Sequence, residues 1–349
     1  MKLFTRNFPL GSYPYESIES ATKMVVKLYE KIPFIPMLPK IDKNDTIIHR
    51  TLEGMPGIII NERKFFIKTT SSQTKKEILK LDKAYNHPST ENLDKYAFSA
   101  PFLQKFLNIV KKYKSPQACI HFTGPFSLSQ IVRNNSSEQM LLDKNFRKYF
   151  IQTAVVKALW IIQQVKECSP TTIPVIVFEE PLLGQVGDLK RKYEEINSEL
   201  VTHMYVRIIE KLKEAGAMVG IQCFEKCDWK IAINAGVDLI SFDAYNNPNN
   251  LCIIPEQITE FIQKGGKINW AIVPVMTENI IKTTNLDSIF NRLLSTYNLL
   301  VVAGVPEDYV LHSTLVSIQG NTDHLPILFA EKAAILSTQL ANRIPKKLS

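Results

Sequence analysis

The sequence contains no uninterrupted apolar run approaching the ~18 residues that would suggest a membrane span, so no membrane partner is expected. It also lacks the Gly-rich phosphate loop of a doubly wound dinucleotide-binding sheet, which weakens that alternative fold. Cysteine is scarce and odd in number. Cys119, Cys168, Cys223, Cys227 and Cys252 suggest no disulfide framework and suit a reducing compartment. There is no internal repeat and no second series of strand and helix patterns, so residues 1–349 are expected to form one domain. The N-terminal stretch MKLFTRNFPLGSYP has no long apolar core ahead of a small-residue cleavage site, and a cytoplasmic protein is expected.

What is present fits a globular α/β protein. A hydrophobic content of 45% with 22% charged residues excludes a disordered chain. The net charge of +8 invites an anionic partner, yet the lysines are scattered over amphipathic helices rather than gathered into an aromatic-studded stripe. Nucleic acid is therefore not expected, and a small-molecule substrate is.

The stretch Ala217 to Tyr245 organises the chain. Met218–Cys223 and Val237–Phe242 are short apolar runs of the kind buried on both faces of a parallel sheet, with a short helix after Asp228 between them. Cys223 and Asp243 then fall at the carboxyl ends of neighbouring strands, the face on which barrel enzymes build their sites. Further strands are expected at Phe8–Tyr13, around Pro33–Pro39, at Cys119–Phe122, Pro174–Phe178, Ile268–Pro274 and Tyr309–Ser313, and a β-hairpin excursion between Thr46 and Lys68, through Ile58-Ile59-Ile60-Asn61-Glu62. Helical patterns intervene, the longest from Asp143 to Glu167. Eight strands each followed by helical material predict a (β/α)8 TIM barrel with a β-hairpin excursion near the N-terminus.

Several motifs stand at the expected strand ends: Gly11-Ser12-Tyr13-Pro14-Tyr15, Ile32-Pro33-Phe34-Ile35-Pro36-Met37-Leu38-Pro39, Glu53-Gly54-Met55-Pro56-Gly57, Thr123-Gly124-Pro125-Phe126-Ser127, Phe178-Glu179-Glu180-Pro181, Asp228-Trp229, Phe242-Asp243-Ala244-Tyr245 and Gly266 to Pro274. In this order they resemble the catalytic domain of cobalamin-independent methionine synthase, in its stand-alone branch grouped with uroporphyrinogen decarboxylase. The likeness runs over nearly the whole chain. It implies methyl transfer to a small thiol or amino-acid-like substrate, with methyltetrahydrofolate or a methylcorrinoid as donor. It also implies zinc, which holds the thiol as thiolate; a free thiol, with a pKa near ~8.5, is mostly protonated at neutral pH.

The resemblance places Glu179 on the substrate amine, Ser12 on its carboxylate and Asp243 on the metal; of the adjacent pair Glu179 and Glu180 at most one faces the barrel axis to bind a substrate amine, and Trp270 at the rim is a candidate pocket wall. Gln222 stands where the family has a ligand His, and Ser317-Ile318-Gln319-Gly320 where it has S-x-x-C-G. A rebuilt metal set would draw on Cys223, Cys227, Asp243 and His312, with Glu180 as a substitute donor. Each residue has a plainer reading. Cys223 and Cys227 pack as small hydrophobes, the glutamates pair with a rim cation, Ser12 is a turn residue, and Trp270 is strand-end packing rather than a pocket wall. His121 reads as a satisfied core or rim histidine rather than a ligand. The alternatives to methyl transfer are a catalytically silent barrel that binds a small ligand or protein partner, and a decarboxylase of the uroporphyrinogen type.

Overall fold

A computed structural model describes residues 5–61 and 64–344. Its centre is a six-stranded parallel sheet whose strands neighbour one another in chain order: β3 Gln117–Thr123, β4 Ile173–Glu179, β5 Met218–Cys223, β6 Leu239–Asp243, β7 Lys267–Val273 and β8 Thr314–Ile318. An antiparallel pair, β1 Ile58–Asn61 with β2 Lys64–Ile67, forms the expected hairpin. Glu62, which falls in the expected excursion, lies outside the described residues. The excursion opens with a helix, Ile47–Leu52, capped by the Thr46 hydroxyl, and not with a strand.

The α/β class holds, but the closed eight-stranded barrel does not form. Six strands curl into a half-barrel, and the two N-terminal segments expected as strands make only isolated bridges, Asn7 with Val316, Ser12 with Met37 and Phe34 with Cys119. The cause lies in the sequence. Pro9, Pro14, Pro33, Pro36 and Pro39 have no N–H to donate, so neither segment can sustain a ladder. Each instead runs beside an edge of the sheet, through Phe8 N to Val316 O at 2.8 Å and Cys119 N to Pro33 O at 2.8 Å. The expected last strand is also displaced. Residues Glu307–Ser313 are helical, and β8 begins only at Thr314.

Helices cover the outer face. The longest, Lys144–Cys168, carries the N-cap Asp143 and buries an apolar face against its neighbours. It also buries Lys157 completely, whose Nζ donates to Tyr96 O at 3.3 Å. Burial lowers the Lys157 pKa from 10.5 to about 8, with Glu53 opposing. The unfolded chain thus binds this proton more tightly than the folded one, and the penalty is present in full below pH 8 and fades as pH rises to 10.5. Lys157→Met is expected to stabilise the protein by about 1–3 kcal/mol at pH 7 and by less at pH 10.5, as read from urea denaturation at the two pH values. Among the described residues no helix is long and apolar enough to cross a membrane.

Candidate functional site

Register and pleat decide which residues face the hollow of the curled sheet. Trp270 on β7 packs against Tyr297 of the outer helix Leu286–Val302, ring centroids 4.9 Å apart, so Trp270 points outward and its neighbours Asn269 and Ala271 point inward. Strand pairing carries that assignment across the sheet. Asn269 aligns with Ser241, Ser241 with Gln222, Gln222 with Glu179 and Glu179 with Thr123. All of these share the concave face, together with His121 two residues before Thr123.

The adjacent carboxyls Glu179 and Glu180 therefore separate. Glu180 turns outward and is fully buried. It accepts from Phe126 N at 2.9 Å and Ser127 N at 2.7 Å at the start of helix Pro125–Ile131, and from Tyr205 Oη. Burial pushes its pKa up to about 7 against those donors. A Cβ at Gly124 would lie 2.1 Å from Glu180 Oε1, so glycine is what admits the carboxyl. Glu180 is thus a helix cap within the packing, away from the hollow.

Glu179 turns inward with its side chain 17% exposed, and its Oε1 lies 2.9 Å from His121 Nδ1. His121 Nε2 meets Pro9 O at 3.2 Å and Cys119 Sγ at 3.3 Å. Pro9 O can only accept and an ionised carboxylate can only accept, so both ring nitrogens carry protons in this arrangement. Burial opposes the imidazolium, but Cys119 and then Glu179 outweigh it and raise the His121 pKa to about 10. The pair is an ion pair at neutral pH. The sequence alone predicts a satisfied histidine at His121; its partner emerges only from the alignment of β3 with β4.

The residues considered for a metal do not converge. Cys223 follows the inward Gln222 and so faces outward; it is 1% exposed and directs Sγ to Glu225 O at 3.5 Å. Cys227 lies beside it, and burial, with Cys223 next, raises that thiol well above 9.0. Asp243 is on the concave face, where Tyr245 N, Asn246 N, Asn246 Nδ2 and Gln319 Nε2 all donate to it at 2.7–3.0 Å. His312 ends helix Glu307–Ser313 ahead of β8, at the amino-terminal rim, with Nδ1 on Asp308 O at 2.6 Å. The expectation that placed it at the carboxyl end of the last strand is thereby corrected. Among the described residues no three His, Cys, Asp or Glu side chains gather as a ligand set. Zinc calls for about four convergent N, S or O donors, and this donor set does not fit it.

Ser12 is buried in the N-terminal turn. Its N–H meets Asn321 Oδ1 at 3.1 Å and its hydroxyl donates to Asp323, so the two donors that Ser12 would offer a substrate carboxylate have protein partners. Gly11, at φ +97°, has Gly320 O 2.6 Å from where a Cβ would stand, which brings this turn tightly against the end of β8. Trp270 is 1% exposed and belongs to the outer layer. Sequence reading missed a concave row of neutral groups, Gln222, Ser241, Asn269 and Ser317, joined by hydrogen bonds of 2.8–3.3 Å. The available signal was a polar residue inside each apolar strand run.

No family model matches the chain, and no curated protein matches it in sequence. Among solved structures, a beta-N-acetylhexosaminidase matches at 11% identity and a TM-score of 0.40, over 70% of this chain and 56% of that one. A methyltransferase from Methanosarcina mazei matches at 10% identity and a TM-score of 0.52, over 97% of this chain and 94% of that one. From end to end, the chain has a fold similar to that of the methyltransferase.

Proposed function

We propose that the protein holds a small amine-bearing ligand of amino-acid type at the carboxyl end of the sheet, and that the reaction there is transfer of a one-carbon group. One observation carries the reading: Glu179 faces the hollow, partly open, with one carboxylate oxygen fixed by the His121 imidazolium at 2.9 Å. The Arg50 charge is also felt nearby, because Glu179 acts on Arg50 through space. The carboxylate is therefore oriented, and its second oxygen is suited to a ligand ammonium. The fold likeness to a methyltransferase supports the reaction class. Methyltetrahydrofolate and a methylcorrinoid are the donor classes to be tried. Activation of a thiol by zinc has no part in this reading, because the donors do not fit the metal.

Calorimetric titration with homocysteine tests the binding step. Glu179→Gln is expected to weaken binding about 10–100-fold, the worth of a charge-assisted hydrogen bond, and a parent protein that binds no amino acid would overturn the reading. A silent binding role is favoured by Asp243, whose carboxylate is fully engaged by protein donors. Turnover with either methyl donor decides between the two.

A further inference from the structure

Beyond Glu179, strands β5 to β8 carry neutral polar side chains whose donor and acceptor directions are fixed by chemistry. Ser241 Oγ donates to Gln222 Oε1 at 3.3 Å, and Ser317 Oγ donates to Ile318 O at 2.9 Å. With both hydroxyl protons committed, these oxygens can only accept from Asn269 Nδ2, which reaches them at 2.8 and 2.9 Å. Asn269 Oδ1 is thereby left without a partner on a fully buried residue. Gln319 repeats the pattern. The Asp243 carboxylate accepts, so Gln319 must turn Nε2 to it at 2.7 Å, and Gln319 Oε1 is left without a partner on a residue 9% exposed.

Two buried acceptors without donors cost on the order of 1–3 kcal/mol each. Bonded to Gln319 and two residues beyond the partner of Asn269 along β6 stands Asp243, which none of the ion pairs among the described residues involves. Acceptors and an uncompensated negative charge on one concave surface ask for a cation that donates hydrogen bonds.

We infer that Asn269 Oδ1 and Gln319 Oε1, on the concave face that carries the Asp243 charge, form a second subsite, which binds a protonated amine or guanidinium of the ligand. The inference rests on the Glu179 reading for the first ammonium and goes beyond it, because it makes the ligand doubly cationic. Two carboxamides beside a carboxylate suit N–H donors, and Asp243 is the residue that the sequence resemblance placed on a metal.

The test is calorimetric titration of the full chain with putrescine and agmatine, with propylamine as the single-amine probe, at ionic strength held constant with NaCl. Putrescine or agmatine is expected to bind at least about tenfold more tightly than propylamine. Gln319→Met and Asn269→Leu are expected to remove that advantage and leave propylamine unchanged, whereas Glu179→Gln weakens all three. A Gln319→Met protein that melts as the parent does and yet keeps the tenfold advantage of agmatine over propylamine would overturn the subsite. Equal binding of the three probes, insensitive to Gln319→Met but weakened by Glu179→Gln, would sink the subsite and leave the Glu179 reading standing. Loss on Gln319→Met without loss on Glu179→Gln would do the reverse. No binding above the salt control would overturn both.

Discussion

Arg50→Met is expected to lower the free energy of unfolding by about 3–5 kcal/mol, because it strips a buried carboxylate of the cation it is paired with. Arg50 is 2% exposed and the Asp45 side chain not at all. The guanidinium donates to Asp45 Oδ1 through Nε at 3.0 Å and Nη2 at 2.6 Å, to Ile35 O at 3.0 Å and to Pro36 O at 3.0 Å. Asp45 in turn accepts from Leu38 N at 2.7 Å. One side chain thus ties the proline-rich segment 33–39, which cannot bond to itself, to the helix Ile47–Leu52 that sits against β3. Methionine fills much of the volume but leaves Asp45 Oδ1 and two carbonyls without the Arg50 donors. Urea denaturation at pH 7 measures the loss, and a change under about 1 kcal/mol would refute the account. Adding Asp45→Leu to Arg50→Met should restore part of the stability, since the buried charge is then gone. The effect also reaches the site: with the Arg50 charge removed from near Glu179, amine binding in the hollow is expected to change along with stability, whereas Lys157→Met, buried in the outer layer, should leave it alone.

How much of this was legible in the sequence depends on which force places each residue. Strands β3 to β7 announce themselves because a parallel strand is buried on both faces and reads as a short apolar run; Cys119–Phe122, Pro174–Phe178 and Met218–Cys223 fall within a residue or two of the observed bounds. The N-terminal segments mislead because their apolar content belongs to the core while their prolines forbid the ladder. Tyr309–Ser313 misleads differently. Pro306-Glu307-Asp308 is a helix start, with acids at the positive end of the dipole, and it outweighs the apolar Tyr-Val-Leu run that follows. At the site the deciding quantity is parity. A shift of one residue exchanges Gln222 for Cys223 on the concave face, and nothing local in a run buried on both faces fixes that choice. The ion pair of His121 with Glu179, and the row from Gln222 to Ser317, join residues tens of positions apart. Strand register alone brings them together.

The charge on His121 makes stability fall as pH rises. Its pKa is raised from 6.5 to about 10, so the folded protein holds a proton that the unfolded chain gives up. The contribution is complete below pH 6.5 and is lost as pH climbs through 10. In that window stability should decline with a slope approaching about 1.4 kcal/mol per pH unit, for a total of a few kcal/mol. Two other buried groups titrate nearby with opposite consequences. Glu180, raised to about 7, adds a decline between 4.5 and 7, and Lys157, lowered to about 8, adds a rise above 8. The clean interval is therefore pH 7 to 8, where His121 alone of the three changes the folded protein relative to the unfolded. His121→Gln keeps a donor near Glu179 but cannot take a proton. It is expected to be less stable than the parent by several kcal/mol at pH 6, with the gap closing as pH approaches 10. Chemical denaturation of both proteins across this range measures the difference, and a gap that stays constant from pH 7 to 10 would show that His121 is neutral in the folded state. The same titration governs the site. Below pH 10 the imidazolium fixes one oxygen of Glu179 and leaves the other for an ammonium. Above it the pair dissolves into a neutral ring beside a carboxylate that has lost its orientation, so amine affinity should fall in the same window as stability, and for the same proton.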